Sequence, residues 1–267
     1  MLNDFMPIKK DLKATGVSGE FTIVPLADAH YGSKEFNQKK WDQAVNRIKN
    51  DPNCYAVLVG DMIDNGLKNS VTNVYEQTCM PSEQKRWLTT ELEPIKDKIL
   101  AAVGGNHERR SSKEADNDPL YDVMIRLGIE DVYRSRIAFL YIRIMYPNDE
   151  RHHKSTYAIA VTHGSGGGMY VASGANKAAN YGVYLDGIDL IITGHTHKPI
   201  TFPVSKLCFD AHDLVVRQKQ FTVVTASSFL DYGGYAIEKM LPPAATTLTE
   251  IKLTYSGNEE RNIRVTQ

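Results

Sequence analysis

The sequence predicts an α/β fold with a mixed, layered sheet and a C-terminal half rich in β-structure. Three apolar runs within the first 106 residues each end at polar residues, and segments with helical spacing separate them. Strands that alternate with helices indicate βαβ units, in which the sheet is buried on both faces. With no fixed-period repeat and no low-complexity linker, we expect one domain over residues 1–267, in which residues 1–20 form an N-terminal extension.

Continuous apolar runs predict three buried strands in the first half, at residues 21–28, 55–61 and 100–106. A helix is expected over residues 37–50, because Trp41, Val45 and Ile48 recur at helical spacing and form one apolar face. The strands and this helix make up the predicted βαβ part of the domain.

A second helix is expected from a capping Ser82 to Leu100, bent or interrupted at Pro94, which cannot donate to the helical hydrogen-bond ladder. A third is expected around residues 176–185. Otherwise the second half is β-like, and its predicted strands are residues 136–146, 155–162, 188–194, 221–228, 248–255 and 261–267.

Charge and cysteine content argue against several classes of protein. The formal net charge is −1, so the chain lacks the basic field of a nonspecific duplex-DNA binder. Cys54, Cys79 and Cys208 are odd in number and scattered, which fits a reducing compartment rather than a disulfide framework or a zinc–thiolate site. No apolar leader opens the chain and no stretch approaches membrane-spanning length, so we expect a cytoplasmic protein with no membrane partner.

Polar residues follow five of the predicted strands at the point where each strand ends. These short motifs are Asp28-Ala29-His30, Gly60-Asp61, Gly105-Asn106-His107-Glu108, Thr162-His163-Gly164 and Gly194-His195-Thr196-His197. Each alone has an ordinary explanation as a turn or a cap. In an open α/β sheet, however, the carboxyl ends of the strands open into one crevice, so their joint placement predicts that they converge. Carboxylate, imidazole and amide groups without thiolate suit Mn, Fe, Zn, Ni or Co.

This ordered set resembles the calcineurin-like metallophosphoesterase superfamily, whose motifs are DxH, GDxxD, GNH[DE], a lone His and GHxH. Residues 60–64 match GDxxD, and the resemblance spans residues 21–200. It implies a four-layer αββα sandwich and a hydrolase of phosphate esters that uses two divalent metal ions. We expect manganese, with iron, zinc, nickel or cobalt as alternatives. The glycine-rich stretch and the Asn-Lys-rich helix after His163 also resemble phosphoesterases carried by bacterial viruses and prophages.

The resemblance also assigns roles to individual residues. Seven side chains would hold two ions, with Asp28, His30, Asp61 and His197 around one and Asp61, Asn106, His163 and His195 around the other. Asp61 would bridge the ions, and a hydroxide shared between them would attack phosphorus. His107 matches the catalytic histidine, which protonates the leaving oxygen or stabilises transition-state charge. Glu108 would orient His107, and Asp64 would either support the bridge or cap a helix.

Predicted substrate contacts lie outside the shared motifs. Gly166 and Gly167 belong to a glycine-rich turn whose backbone N–H groups can approach a phosphate, with Lys177 nearby. The turn suits a flexible connector equally well. Arg109, followed by Arg110, is a further predicted phosphate contact, with solvated surface as the alternative.

Three tyrosines could line a base-stacking wall, namely Tyr170, Tyr181 and Tyr184, although helical core positions explain Tyr181 and Tyr184 equally well. The leading functional hypothesis is a phosphodiesterase acting on a nucleotide or a nucleic-acid end. The alternatives are a phosphomonoesterase such as a protein phosphatase, and a DNA exonuclease. A non-catalytic binding module ranks last, because every ligand position of the motifs is filled. The oligomeric state stays open.

Overall fold

Two six-stranded mixed sheets pack face to face in the computed structural model, and helices cover the outer face of each. The described residues are 3–16, 18–68, 70, 74–146, 154–166, 171–243, 245, 247–256 and 261–267. This arrangement of four layers is an αββα sandwich, so the predicted fold class is confirmed.

Sheet 1 consists of β2 (Ser18–Leu26), β3 (Cys54–Leu58), β4 (Ile99–Val103), β5 (Tyr133–Arg134), β11 (Glu250–Ser256) and β12 (Arg261–Thr266). Its strand order is β12-β11-β2-β3-β4-β5. The strands β2 to β5 run parallel, and β11 and β12 add an antiparallel pair beside β2. The three apolar runs predicted as strands are therefore neighbours in one sheet.

Sheet 2 consists of β1 (Ile8–Lys13), β6 (Ile137–Met145), β7 (Lys154–Thr162), β8 (Leu190–Thr193), β9 (Ile200–Asp210) and β10 (Val215–Thr225). Its strand order is β1-β6-β7-β8-β10-β9. Within the proposed N-terminal extension, β1 pairs in parallel with β6 and forms one edge of the sheet. The hairpin of β9 and β10 forms the other edge and is much longer than the run predicted at residues 221–228.

Six α-helices are described: α1 (Gln38–Asn50), α2 (Pro81–Leu92), α3 (Glu108–Ala115), α4 (Pro119–Leu127), α5 (Val171–Tyr184) and α6 (Gly234–Glu238). The Asn37 side chain caps α1 by accepting the Lys40 N–H, and the predicted apolar face of α1 is buried. This face packs toward sheet 1. The α1 prediction is therefore confirmed.

The second predicted helix differs from the structure at both ends, and its last two predicted residues, Ile99 and Leu100, belong to β4. The N-cap of α2 is Met80 rather than Ser82, and Pro81 occupies the first turn, where its missing N–H costs nothing. The Glu83 carboxylate accepts the Met80 N–H at 2.9 Å. At Pro94 the chain tightens into a 3₁₀ helix over Glu93–Lys98, so the predicted interruption is confirmed.

Close packing of α5 on sheet 2 gives a test of the fold. A β-carbon at Gly182 would lie 1.9 Å from the ring of Phe221, which is buried. In an exposed helix Gly→Ala stabilises by about 1 kcal/mol, but here the ring has to move. We expect Gly182→Ala to lower the free energy of unfolding by about 1–3 kcal/mol in urea denaturation. Combined with Phe221→Leu, it should cost less than it does alone, and strict additivity of the two changes would contradict the contact.

Candidate metal centre

The carboxyl-terminal ends of five strands, drawn from both sheets, meet at one edge of the sandwich. In sheet 1, β2, β3 and β4 lead into Asp28, Asp61 and Asn106, and in sheet 2, β7 and β8 lead into His163 and His195. The predicted convergence is present. However, these ends belong to two packed sheets, whereas the prediction assumed one open sheet. The sequence could not show this difference, because apolar runs do not indicate which strands share a sheet.

Asp28, His30 and His197 form the first cluster of side chains. The Nε2 atoms of His30 and His197 are 3.2 Å apart. The Oδ1 atom of Asp28 lies 3.3 Å from Nε2 of His197 and 3.9 Å from Nε2 of His30. Asp28 and His30 are buried, whereas the His197 side chain is 33% exposed, so the cluster opens to solvent beside His197.

The second cluster is centred on the buried imidazole of His163. Its Nε2 atom lies 3.0 Å from Oδ1 of Asn106, 3.1 Å from Oδ2 of Asp61 and 3.2 Å from Nδ1 of His195. Its other ring nitrogen, Nδ1, is 2.8 Å from the carbonyl oxygen of Val59 and can only donate to it. A ring nitrogen held by a backbone carbonyl orients the other nitrogen as a ligand, as in known metal sites.

The Asp61 carboxylate stands between the two clusters. Its Oδ2 atom is 3.1 Å from Nε2 of His163 and 3.8 Å from Nε2 of His30, so one oxygen faces ligand atoms of both clusters. Its Oδ1 atom accepts the backbone N–H of His107 at 2.8 Å, which fixes the plane of the carboxylate. Asp61 is therefore within reach of the donor atoms of both clusters.

The charges at the site fit bound divalent ions. Burial, together with repulsion from His107, lowers the pKa of His30 to about 3, and burial with repulsion from His163 lowers the pKa of His195. Both imidazoles are therefore neutral, as metal ligands must be. Burial acts against the Asp61 carboxylate, but His163 and His107 outweigh it and hold its pKa well below the usual range.

The pKa of His163 and the types of ligand atom also bear on metal binding. Burial opposes protonation of His163, yet the Asp61 carboxylate outweighs it and raises the pKa of His163 to about 9, so this imidazole has to release a proton when it binds an ion. Among the residues that the structure describes, three groups of His and Asp side chains each bring ligand atoms within 4.8 Å of one another. Nitrogen and oxygen donors without thiolate fit Mn²⁺, Zn²⁺ and similar ions. The residues present therefore fit a metal centre.

Unusual backbone geometry is concentrated at the predicted metal ligands. Positive φ angles occur at five of the seven predicted ligands: Asp28 (51°), His30 (47°), Asp61 (52°), His195 (69°) and His197 (56°). Non-glycine residues rarely adopt this region, and strain of this kind clusters at functional sites. Contacts within the site support the turns, since the Asp28 carboxylate accepts the His195 N–H at 2.9 Å.

His107 stands beside the first cluster, with its ring centroid 4.3 Å from that of His30. Its Nδ1 atom is 2.7 Å from the carbonyl oxygen of Asp64 and 3.4 Å from the Oδ1 atom of the same residue. Burial opposes its protonation, but Asp61 and Asp64 outweigh burial and raise the pKa of His107. Asp64 is therefore the carboxylate partner of His107, which corrects the role predicted for Glu108.

Glu108 instead joins the turns that follow β3 and β4. Its buried carboxylate accepts the backbone N–H groups of Gly105 (2.8 Å), Asp61 (2.9 Å) and Met62 (2.8 Å). Because Glu108 begins α3, its side chain points in a different direction from that of His107, and the two adjacent side chains reach different partners. Glu108 thus positions Asp61.

Removing the charge of Glu108 should loosen these turns. A glutamine keeps one acceptor oxygen but turns its NH₂ group toward backbone donors, so we expect Glu108→Gln to destabilise the metal-free protein by about 2–4 kcal/mol. Urea denaturation measures the loss. The exposed Glu114 lies on the same helix, so Glu114→Gln is the matched control. Equal stability of the two variants would contradict the role of Glu108.

Asn65 belongs to the site but was not predicted from the sequence. It is fully buried with a φ of 45°, and its Nδ2 atom donates to the carbonyl oxygen of His107 at 2.7 Å and to the Ser111 hydroxyl at 2.9 Å. The only sequence signal is the Asn-Gly pair directly after Asp64, which is typical of a turn. Asn65 therefore holds the backbone of His107.

The predicted substrate contacts differ in where the structure places them. Arg109 donates to the carbonyl oxygen of Gly104 at 3.0 Å, whereas Nη2 of Arg110 lies 2.9 Å from Nε2 of His107. Arg110 is therefore the arginine at the centre. The Lys177 side chain lies against Gly166. Gly167 and Tyr170 lie outside the described residues.

Comparison with known proteins finds one family model that covers both clusters of side chains. The family model described as calcineurin-like phosphoesterase matches residues 21–199, a span that contains all seven predicted ligands. No curated protein matches the chain. In the part of the chain that the structure describes, no helix is both long and apolar enough to cross a membrane.

Proposed function

Since the chain belongs to the calcineurin-like phosphoesterase family and is thereby a metal-dependent hydrolase of phosphate esters, we propose that it is a dinuclear phosphodiesterase of nucleotides or nucleic-acid ends. The single observation that carries the dinuclear proposal is the position of Asp61. One of its oxygens faces both clusters of ligand atoms, at 3.1 Å and 3.8 Å.

Four residues would hold each ion. Asp28, His30, Asp61 and His197 would hold the first, and Asp61, Asn106, His163 and His195 the second. When bound, such ions polarise phosphoryl oxygens and lower the pKa of water. Manganese is the proposed metal, with iron, zinc, nickel and cobalt as alternatives, since nitrogen and oxygen donors without thiolate suit all of these ions.

His107 is the proposed general acid. Asp64 holds its Nδ1 atom, which leaves Nε2 directed toward the centre, 3.9 Å from Oδ2 of Asp61. Arg110 can only donate to Nε2, so its guanidinium has to leave this contact for the phosphoryl oxygens when Nε2 carries the proton that reaches the leaving oxygen. The Arg110 guanidinium beside Nε2 would stabilise negative charge on the phosphoryl oxygens.

A diester is favoured over a monoester because there is space beside the centre. A diester carries a second substituent on phosphorus, and an open cleft lined by Gly164 and Gly194 adjoins His163 and His195 in the chain. A phosphomonoesterase, such as a protein phosphatase, is the second candidate, and it would not need this space.

Chromogenic substrates separate these candidates. The Mn²⁺-reconstituted protein is expected to hydrolyse bis-p-nitrophenyl phosphate faster than p-nitrophenyl phosphate. Activity on the monoester alone would contradict the diesterase proposal. Incubation with linear DNA and Mn²⁺ tests the exonuclease alternative, which predicts progressive shortening from the ends. Metal analysis by plasma mass spectrometry should give two ions per chain.

A further inference from the structure

A cleft opens next to the proposed metal centre, between α5 and the carboxyl edge of sheet 2. The cleft is partly open to solvent. Its lining includes Gly164, Ser165, Lys177, Tyr181 and Thr196. Gly164 directly follows the predicted ligand His163, and Thr196 lies between the predicted ligands His195 and His197, so the cleft and the centre share two turns.

Lys177 brings a positive charge to this cleft. Its side chain lies across Gly166, where a β-carbon would be 2.3 Å from the Lys177 Nζ atom. The φ angle of Gly166 is 106°, a value that residues other than glycine rarely adopt. Within the described part of the chain, Lys177 forms no ion pair and no hydrogen bond. Lys177 is exposed and lies against a glycine turn with no acidic partner among the described residues, which suits an anionic ligand.

The distance from this cation to the centre is limited by the chain itself. Gly166 is three residues beyond His163, and three residues span at most roughly 11 Å. One substrate molecule can therefore contact the metal centre and the Lys177 ammonium together. Tyr181, one turn further along α5, adds an aromatic wall to the cleft, next to Tyr184 at 5.6 Å between ring centroids.

We propose that this cleft binds a second phosphate group of a nucleotide substrate, with Lys177 contacting that phosphate and Tyr181 contacting the attached nucleoside. The inference rests on the proposed phosphodiesterase function and narrows its substrate class. The preferred substrate would carry a phosphodiester at the centre and a further phosphate within the same molecule. Cation and aromatic surface together match a nucleotide, whose phosphate and base need both.

The test compares two thymidine dinucleotides, one with a 5′-phosphate and one without, and bis-p-nitrophenyl phosphate as a substrate with a single phosphate. We expect the wild-type enzyme to prefer the phosphorylated dinucleotide. Lys177→Gln should raise KM for that substrate about tenfold with little change in kcat. The loss in kcat/KM should be smaller on bis-p-nitrophenyl phosphate, which has no second phosphate. The exposed Lys39→Gln is the matched control and should change neither.

Three results distinguish the possibilities. No hydrolysis of any diester by the wild-type enzyme would reject the proposed function. Diester hydrolysis with the same KM in Lys177→Gln and wild type would overturn the phosphate subsite alone, and so would an equal loss on all substrates. Calorimetric titration of 5′-AMP into the metal-free protein gives a reading that does not depend on activity. We expect Lys177→Gln to weaken this binding at least about fivefold, and unchanged affinity would overturn the subsite.

Discussion

Asp61→Asn is expected to abolish nearly all turnover, with kcat/KM lower by at least about a thousandfold. The proposed bridge depends on the Oδ2 oxygen that faces both clusters, while Oδ1 already accepts the His107 N–H. An amide retains a single oxygen, and if that oxygen keeps the His107 N–H, the NH₂ group faces the ions and repels them. Steady-state hydrolysis of bis-p-nitrophenyl phosphate with Mn²⁺ measures the loss.

Metal content should change together with activity in this variant. We expect at most one tightly bound ion per chain in Asp61→Asn, compared with two in the wild type. The exposed Asp42 on α1 gives a matched control, because Asp42→Asn is the same chemical change far from the predicted ligands in the chain. Full metal content and near-normal turnover in Asp61→Asn would contradict the bridging role.

His107→Asn is expected to reduce kcat by about a hundredfold to ten-thousandfold without removing the metals. His107 is held by Asp64 and Asn65 rather than placed in either set of four proposed ligands. Its loss should therefore slow the chemical step and leave KM nearly unchanged. Kinetics and metal analysis on the same preparation separate this effect from the loss of a ligand.

Substrates with different leaving groups distinguish the two possible roles of His107, general acid and stabiliser of transition-state charge. p-Nitrophenolate leaves without protonation, so a variant that lacks a general acid should lose less activity on bis-p-nitrophenyl phosphate than on a dinucleotide. Equal losses on both substrates would indicate stabilisation of transition-state charge instead. Unchanged turnover of both substrates in His107→Asn would contradict any catalytic role for His107.

The parts of the fold that could be predicted are those with a continuous apolar signal. β2, β3 and β4 are buried on both faces and read as apolar runs, and the apolar face of α1 recurs at helical spacing. The strand β9 could not be predicted in this way, because half-buried and exposed residues alternate along it and no apolar run marks it. The α3 segment was also missed, since its residues are mostly charged or polar.

In the proposed site, too, some features could be predicted from short stretches of sequence and others could not. The motif residues could be recognised because each follows a strand. The partner of His107 could not, because Asp64 and Glu108 are both close to it in the motifs and only their side-chain directions distinguish them. Similarly, Arg109 and Arg110 are neighbours in the chain, and only the orientation of α3 brings Arg110 to His107.

The pairing of strands across the chain has a consequence for how the protein folds. Sheet 1 joins β2 to β11, so Ile23 pairs with Ile251, and sheet 2 joins β1 to β6. Contacts between residues so distant in sequence raise the contact order, and proteins of high contact order fold slowly. Because the proposed ligands come from both sheets, the complete ligand set forms only when the sheets have docked. Full coordination of either ion would therefore be a late kinetic event, and its rate would report the docking of the two sheets.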